Sequence, residues 1–240
     1  LDASHLWGKI TGEAEDMLKA ELGDEKLEAE IIGPSGEQMV NFAAIINMAN
    51  RAHGRTGMGA VMGSKNLKAI VARGRGKLNI ANKAGVAALA KVGAMRIEEK
   101  GGIFGFGKLG TPGVVIPQSK MGGLPTYNWD SGSFDPCESI SGQVMYETIL
   151  KERDTCYACV VRCKRVVEIV PPEKGKWAVD PRYGGPEYET LATFGSYCGV
   201  SDMSAVCYAN ELCNKYGVDT ISCGAIWPRS KASQSGVVRK

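Results

Sequence analysis

The sequence predicts an α+β protein whose first part is a β-rich mixture of strands and helices and whose remainder is mainly α-helical. Three observations carry that expectation. Short apolar runs bounded by Gly, Asn or Lys punctuate the first third, and apolar residues at helical spacing recur later in the chain. The composition, 44% hydrophobic and 23% charged over 240 residues, is that of a chain able to bury a core.

The elements follow in order. Over Thr11–Leu22 the residues Ala14, Met17, Leu18 and Leu22 share a helical face, and Gly23 stands where the helix should stop. Residues 29–32, 39–46 and 67–72 read as strands. An alanine-rich helix is expected over 83–97, and the glycine-dense stretch 101–113 is expected to be irregular, with a domain boundary close by. Residues 120–136, rich in Gly, Pro, Ser and Asp, read as a long ordered loop, followed by a helical stretch over 146–151. Residues 191–197 and Met203–Tyr216 read as helices, the second with Asp202 as N-cap and Gly217 as terminator. From Pro228 onward the Ser, Lys and Arg composition reads as a solvated tail.

Charge excludes some classes of partner. With 29 basic and 26 acidic residues the net charge of +3 is too balanced for nucleic acid or an anionic membrane to be the main partner. No apolar run approaches the roughly 20 residues of a membrane span, and the start lacks a basic-then-apolar export signal, which favours a cytoplasmic setting. The first residue is Leu1, so the natural beginning is expected to be missing.

Three of the eight cysteines are clustered as Cys156-Tyr-Ala-Cys159-Val-Val-Arg-Cys163, a C-x2-C-x3-C spacing that lets three thiolates converge on one centre. Zinc usually takes its ligands as two separated pairs, and no second pair exists. A tight trio with a distant fourth ligand suits an iron–sulfur cluster. Arg162, Lys164 and Arg165 flank the trio and read either as a solvated basic edge or as charge that stabilises an anionic cluster and docks an acidic electron-transfer protein. Cys137, Cys198, Cys207, Cys213 and Cys223 read as small buried hydrophobes.

A second motif, Arg51-Ala-His-Gly54-Arg55-Thr-Gly57-Met-Gly59-Ala-Val-Met-Gly63-Ser-Lys65, sits between two expected strands. Its glycines permit close backbone approach to a ligand, and its paired arginines can clamp phosphate oxygens. It matches neither a dinucleotide fingerprint opening a helix nor a P-loop, and an ordinary tight turn is the alternative. His53 reads as a loop histidine.

The stretch from Asn50 to Ala69 resembles the pterin-binding segment of the aldehyde ferredoxin oxidoreductase family, and Gly123-Leu-Pro-Thr-Tyr-Asn128, the cysteine trio and Gly184-Gly-Pro-Glu-Tyr-Glu189 resemble its next landmarks in the same order. The resemblance implies a tungsten (or molybdenum) bis-pterin cofactor beside a 4Fe-4S cluster. It implies that Arg51, Ala52, Gly54 and Arg55 contact the pterin and its phosphate, that Cys156, Cys159 and Cys163 are cluster ligands, and that Glu187 or Glu189 is a carboxylate beside the metal. Asn214-Lys-Tyr-Gly-Val218-Asp219 is similar to a family motif that begins and ends in Asp, with Leu before the second; here Asn and Val replace the first Asp and the Leu. Asp219 and Asn214 are then expected to accept hydrogen bonds from a pterin ring.

By the same resemblance, residues 1–80 form the C-terminal part of a β-rich pterin-binding domain, 81–225 the first part of a helical domain, and 226–240 a polar tail foreign to the family. The resemblance implies that the family's flanking regions, with a fourth cluster cysteine and a histidine near the metal, are expected to be missing here. The Ile-Trp-Pro-Arg-Ser-Lys and polar tail that stand after Ala225, where the family continues a helix, fit a frameshift or a broken reading frame. Cys137 and Cys198 are the nearest substitutes for that fourth ligand. The implied activity is oxidation of a small aldehyde to a carboxylic acid with electrons leaving to ferredoxin or another electron-transfer protein, and a homo-oligomer is among the expectations. A subunit of a benzoyl-CoA-type aromatic-ring reductase and a non-catalytic iron–sulfur-binding fragment are the alternatives.

Overall fold

A computed structural model describes residues 1–97, 99–170 and 177–226, so the expected tail lies, beyond Ile226, outside the described residues. The chain opens with α1 (Thr11–Leu22), which ends where Gly23 takes a left-handed φ of 64° and its N–H closes on the Lys19 carbonyl. A four-stranded antiparallel sheet follows, in the order β3-β2-β1-β4, from β1 (Glu28–Ile32), β2 (Ile45–Asn47), β3 (Arg51–Ala52) and β4 (Ala69–Ala72). Ile31 pairs with Ile46, and Asn47 with Arg51, so Arg51 lies on the edge strand. Leu6, Ala14, Leu18, Leu27, Ala29 and Ile31 form the core of this half.

Two short helices lie between the strands. α2 (Pro34–Glu37) starts on Pro34 and precedes the stretch expected as a strand; only the last residues of 39–46 pair with β1, because the chain turns before Ala43, which bridges to Val218 instead. α3 (Met58–Ser64) arises from the arginine-rich motif itself, which therefore does open a helix: Gly57 sits at its N-cap with φ 73°. The glycines serve tight packing. A Cβ on Gly59 would lie 2.8 Å from the Ala44 carbonyl oxygen, and one on Gly63 would overlap the Gly36 carbonyl. Beneath these helices the buried Lys68 ammonium donates to the Glu37 carboxylate and to the Lys9 carbonyl; burial pushes Lys68 below its ordinary pKa and Glu37 opposes this.

The second half is helical, with one hairpin that the sequence reading did not anticipate. α4 (Lys83–Arg96) forms as expected and buries none of its side chains. Contrary to expectation, residues within 101–113 are regular: α5 (Gly101–Leu109) is a helix ended by Gly110 at φ 67°. α6 (Val115–Lys120) and α7 (Gly142–Thr148) follow, on either side of an irregular segment and a 3-10 turn. The helix expected over 146–151 stops at Thr148, where β5 (Leu150–Asp154) begins and pairs antiparallel with β6 (Lys164–Val167). α8 (Tyr188–Thr190) runs into a π-helical turn, Leu191–Gly195, and α9 (Met203–Tyr216) has Asp202 capping the Ser204 and Ala205 N–H groups. Phe134, Ile140, Met145, Val167, Leu191 and Val206 belong to the larger core. No described helix is long and apolar enough to cross a membrane.

The two halves meet where α9 ends. Gly33 lies under this end so closely that a Cβ would overlap the Tyr216 carbonyl, while the Ala44 N–H donates to the Gly217 carbonyl and the Asp219 N–H to the Phe42 carbonyl. These contacts bring residues 214–219 against the arginine loop.

Candidate functional site

A cavity of about 330 Å3 opens at this junction, within the range of small-molecule sites. Its wall is assembled from the arginine loop, the start of β6, the Gly184–Thr190 turn, and the end of α9 with the residues after it. It gathers Arg51, Ala52, Gly54 and Arg55 with Glu187, Glu189, Asn214, Val218 and Asp219. Residues nominated from separate segments of the sequence thus share one concave surface. A larger cavity of about 830 Å3 lies by the β4 edge of the sheet, between the first residues, α1 and Asn66–Val71; its wall is mostly apolar, with the surface pair His5–Glu21, and it carries none of the nominated residues.

Several polar groups on the smaller cavity's wall are held by partners within the chain. Arg51, held by its pairing with Asn47, forms an ion pair with Asp154, the last residue of β5. The Arg55 Nε lies 3.0 Å from the Asp219 carboxylate. Asp219 is almost fully buried and also accepts from the N–H groups of Ile221 and Ser222 and from the Ser222 hydroxyl, so it caps the helical turn at 220–226. The Asn214 amide donates to the Tyr183 carbonyl at 2.9 Å, a bond that the Asp of the family motif could not make when ionised, and its Oδ1 is left as an acceptor. His53 pairs with Glu30, in keeping with a loop histidine.

The two glutamates differ. The Thr111 hydroxyl donates to Glu187 Oε2 and itself accepts from the Tyr188 N–H, so Glu187 is anchored at the head of α8. Glu189 is exposed in the same short helix, and no described side chain donates to it. Glu187 is also close enough to Cys163 to join burial in pushing that thiol above its ordinary pKa, burial being the larger cause.

The cysteines occupy the loop between β5 and β6. Cys156 and Cys159 are exposed and Cys163 is half-buried. The loop is shaped by left-handed Ala158 and Arg162, both at φ 53°, and by the Thr155 hydroxyl donating to the Cys156 and Cys159 carbonyls. Among the described residues no three His, Cys, Asp or Glu side chains are gathered as a metal site. Cys137 lies in the larger core, and Cys198 donates to the Thr193 carbonyl, so neither stands at this loop. Cys207 and Cys213 are buried as expected, while Cys198 and Cys223 are only partly so.

Some residues of the wall were not nominated as cavity residues from the sequence. Asn50, Arg165, Thr190 and Asn210 also line the cavity. Arg165 is 2% exposed, and burial depresses its pKa, with Arg153 adding to the effect. Buried Asn50 Oδ1 and Arg165 Nε have no hydrogen-bond partner. Gly54, left-handed at φ 73°, has no atom within 4 Å of where a side chain would begin. Unpaired donor and acceptor atoms beside open space are what a polar cofactor would satisfy. A loop bearing three thiols likewise suits an iron–sulfur cluster in its donor chemistry.

Comparison with known proteins agrees with the landmarks. The family model described as aldehyde ferredoxin oxidoreductase, N-terminal domain, matches residues 1–74, and that for domains 2 and 3 matches residues 88–229. A tungsten-containing aldehyde ferredoxin oxidoreductase of Thermococcus kodakarensis is 40% identical over 225 residues, covering 93% of this chain and 36% of the relative. The aliphatic sulfonate oxidoreductase, WOR-like subunit, of Pyrococcus furiosus is 28% identical over 94% of this chain and 37% of its own. The active site complex BamBC of benzoyl coenzyme A reductase shares the fold at a TM-score of 0.70 and 20% identity, over 99% of this chain and 37% of that one. The chain thus spans little more than a third of the length of the curated relatives it matches.

Proposed function

The chain belongs to the aldehyde ferredoxin oxidoreductase family, and from that premise we propose that it forms the central part of a tungsten- (or molybdenum-) pterin oxidoreductase that converts an aldehyde to a carboxylic acid. One observation carries the reading: the arginine loop, the Gly184–Thr190 turn and the end of α9 line a single cavity. The 40% identity to a tungsten aldehyde enzyme supports aldehyde oxidation over ring reduction, for which the likeness is one of fold.

In this reading Arg51 and Arg55 hold the pterin phosphate. Each guanidinium carries more N–H donors than its ion pair uses, and Asp154 and Asp219 fix its orientation. Gly54 and Ala52 let the backbone approach the ring, while Asn214 Oδ1 and Asp219 accept from ring N–H groups. The bound cofactor would supply the two-electron redox chemistry. Glu187 acts as general base when water adds to the aldehyde carbonyl: Thr111 occupies Oε2, and the other oxygen takes the proton. Aldehyde plus water then yields acid, two electrons and two protons. Cys156, Cys159 and Cys163 provide three ligands of a 4Fe-4S cluster that passes electrons to ferredoxin or a similar protein. We also propose a domain division near residue 80, with residues 1–80 completing a β-rich unit and 81–225 beginning a helical one.

The test is elemental and pterin analysis of anaerobically purified protein, with aldehyde-dependent reduction of a viologen dye. Tungsten or molybdenum together with pterin, iron and activity is the expected result. Iron without pterin would replace this reading with that of a cluster-binding fragment.

A further inference from the structure

Cys213 and Cys223 form a pair that neither the cavity nor the cysteine trio uses. Cys213 lies in the last turn of α9, and Cys223 lies in the helical turn at 220–226. Between them the chain reverses at Gly217, left-handed at φ 71°. The Val218 N–H donates to the Cys213 carbonyl, and the Cys223 N–H donates to the Asp219 carbonyl. The reversal brings the two side chains together, and the Cys213 thiol donates a hydrogen bond to the Cys223 sulfur. Neither residue lines the cavity, but five that do, Asn214, Val218, Asp219, Thr220 and Ile221, all lie between them in the chain.

The two thiols are unequal. Cys213 is 4% exposed, whereas Cys223 is partly open to solvent. Cys213 gives the hydrogen bond and so keeps its proton; that bond and then burial push its pKa far up. For Cys223 the same bond outweighs burial and the Asp219 charge, and brings the thiol down to about 7. A partly exposed thiol that ionises near neutrality, with a buried thiol in contact behind it, is the arrangement in which cysteine is oxidised reversibly. A cysteine that only fills space in a core needs neither feature.

We propose that Cys213 and Cys223 are a redox modification site, at which a low-molecular-weight disulfide oxidises the pair to an intramolecular disulfide that clamps the cavity segment between them. The Cys223 thiolate attacks one sulfur of the small disulfide, whose S–S bond breaks; one small thiolate leaves, and a mixed disulfide stands on Cys223. The Cys213 thiol then gives up its proton and attacks the Cys223 sulfur, and the second small thiolate leaves. The protein thiols lose two electrons and two protons, and the small disulfide gains both as two thiols. The closed ring contains Asp219, so oxidation stiffens the part of the wall on which Arg55 is held. The assignment is independent of what occupies the cavity.

The experiment equilibrates anaerobically purified protein with mixtures of reduced and oxidised glutathione, traps the free thiols with a maleimide and maps the digested chain by mass spectrometry. A Cys213–Cys223 crosslink, two hydrogens lighter than its separate peptides, should appear in wild type and in Cys198→Ser, and be missing from Cys213→Ala and Cys223→Ser. Cys198 is the control because its sulfur lies 3.6 Å from the Gly224 carbonyl oxygen, beside the same turn. Oxidation should slow amide exchange over residues 219–226 by about 10-fold. Cys213→Ala should slow alkylation of Cys223 at pH 7 by about 3- to 10-fold, because the donor that stabilises its thiolate is gone. A glutathione adduct on Cys223 without the crosslink, a crosslink from Cys223 to Cys198, or both thiols still free in almost wholly oxidised glutathione would each overturn the proposal. Unchanged exchange in crosslinked protein would overturn the clamp. Should Cys213→Ala fail to fold, the wild-type peptide map and exchange rates decide the matter without it.

Discussion

Along the cavity wall the chemistry is built from partners within the chain, whereas along the cysteine loop only the backbone is. Arg55, Asp219 and Glu187 each have an intramolecular partner that fixes them before any ligand arrives. Cys156 and Cys159 lie exposed, in a loop located by Thr155, by Arg165 and by contact with α5. The difference teaches that Arg55, Asp219 and Glu187 are held in place by side chains and N–H groups of this chain, whereas the thiols of Cys156 and Cys159 stand exposed on a loop whose backbone is fixed.

The most severe test of the cavity side is Glu187→Gln. It should reduce aldehyde turnover by about 100-fold or more with metal content retained, and Glu189→Gln should cost far less, because Glu189 lacks the Thr111 anchor. Equal losses in the two variants, measured by steady-state kinetics, would erase the distinction drawn between them.

The loop side is tested through the glycines of α5. A Cβ on Gly107 would come within 2.5 Å of the Val161 carbonyl oxygen in the cysteine loop, whereas Gly105 has nothing within 4 Å. Gly107→Ala should destabilise the protein by about 1–3 kcal/mol and speed amide exchange over residues 155–163. Gly105→Ala should be neutral or stabilising by up to about 1 kcal/mol. Urea unfolding of the pair measures the contrast.

The smallest effect sharpens the boundary between the regions. In cluster-free protein the Cys163 thiol should be alkylated only at a higher pH than an exposed thiol, since burial and then the Glu187 charge raise its pKa. Because the folded pKa is raised, the stability linked to this thiol is complete below about pH 8.5, the free cysteine value, and is lost as pH rises through the folded pKa. Glu187→Gln should move the alkylation midpoint downward; no movement would mean that the cavity carboxylate and the loop do not communicate.

How far the sequence revealed this arrangement depended on whether a residue's role is local. Helices α1 and α9 were legible to the residue because Gly23 and Gly217 end them through their own backbones and the Asp202 carboxylate caps N–H groups only two and three residues on. The cavity residues were legible through the resemblance of their motifs. The helix at Gly101–Leu109 was not, because glycine opposes helix formation, yet Gly107 is tolerated there for the space it leaves the Val161 carbonyl. Arg165 was read as one of several basic residues beside the trio; its burial comes from Gly107, Lys108 and Gly185, which are distant in sequence. The hairpin strands were missed because Leu150–Asp154 is nearly all charged and the cysteine loop separates it from its partner.

The central claim is that the cavity between the arginine loop and the Gly184–Thr190 turn is the cofactor site. Anomalous diffraction from crystals of the cofactor-loaded protein, collected at the tungsten absorption edge (or the molybdenum edge, according to elemental analysis), tests it most directly. The account predicts a metal peak bordering the cavity on the side of Glu187, with a separate iron peak at the cysteine loop. A metal peak elsewhere, with the cavity empty of density, would contradict it.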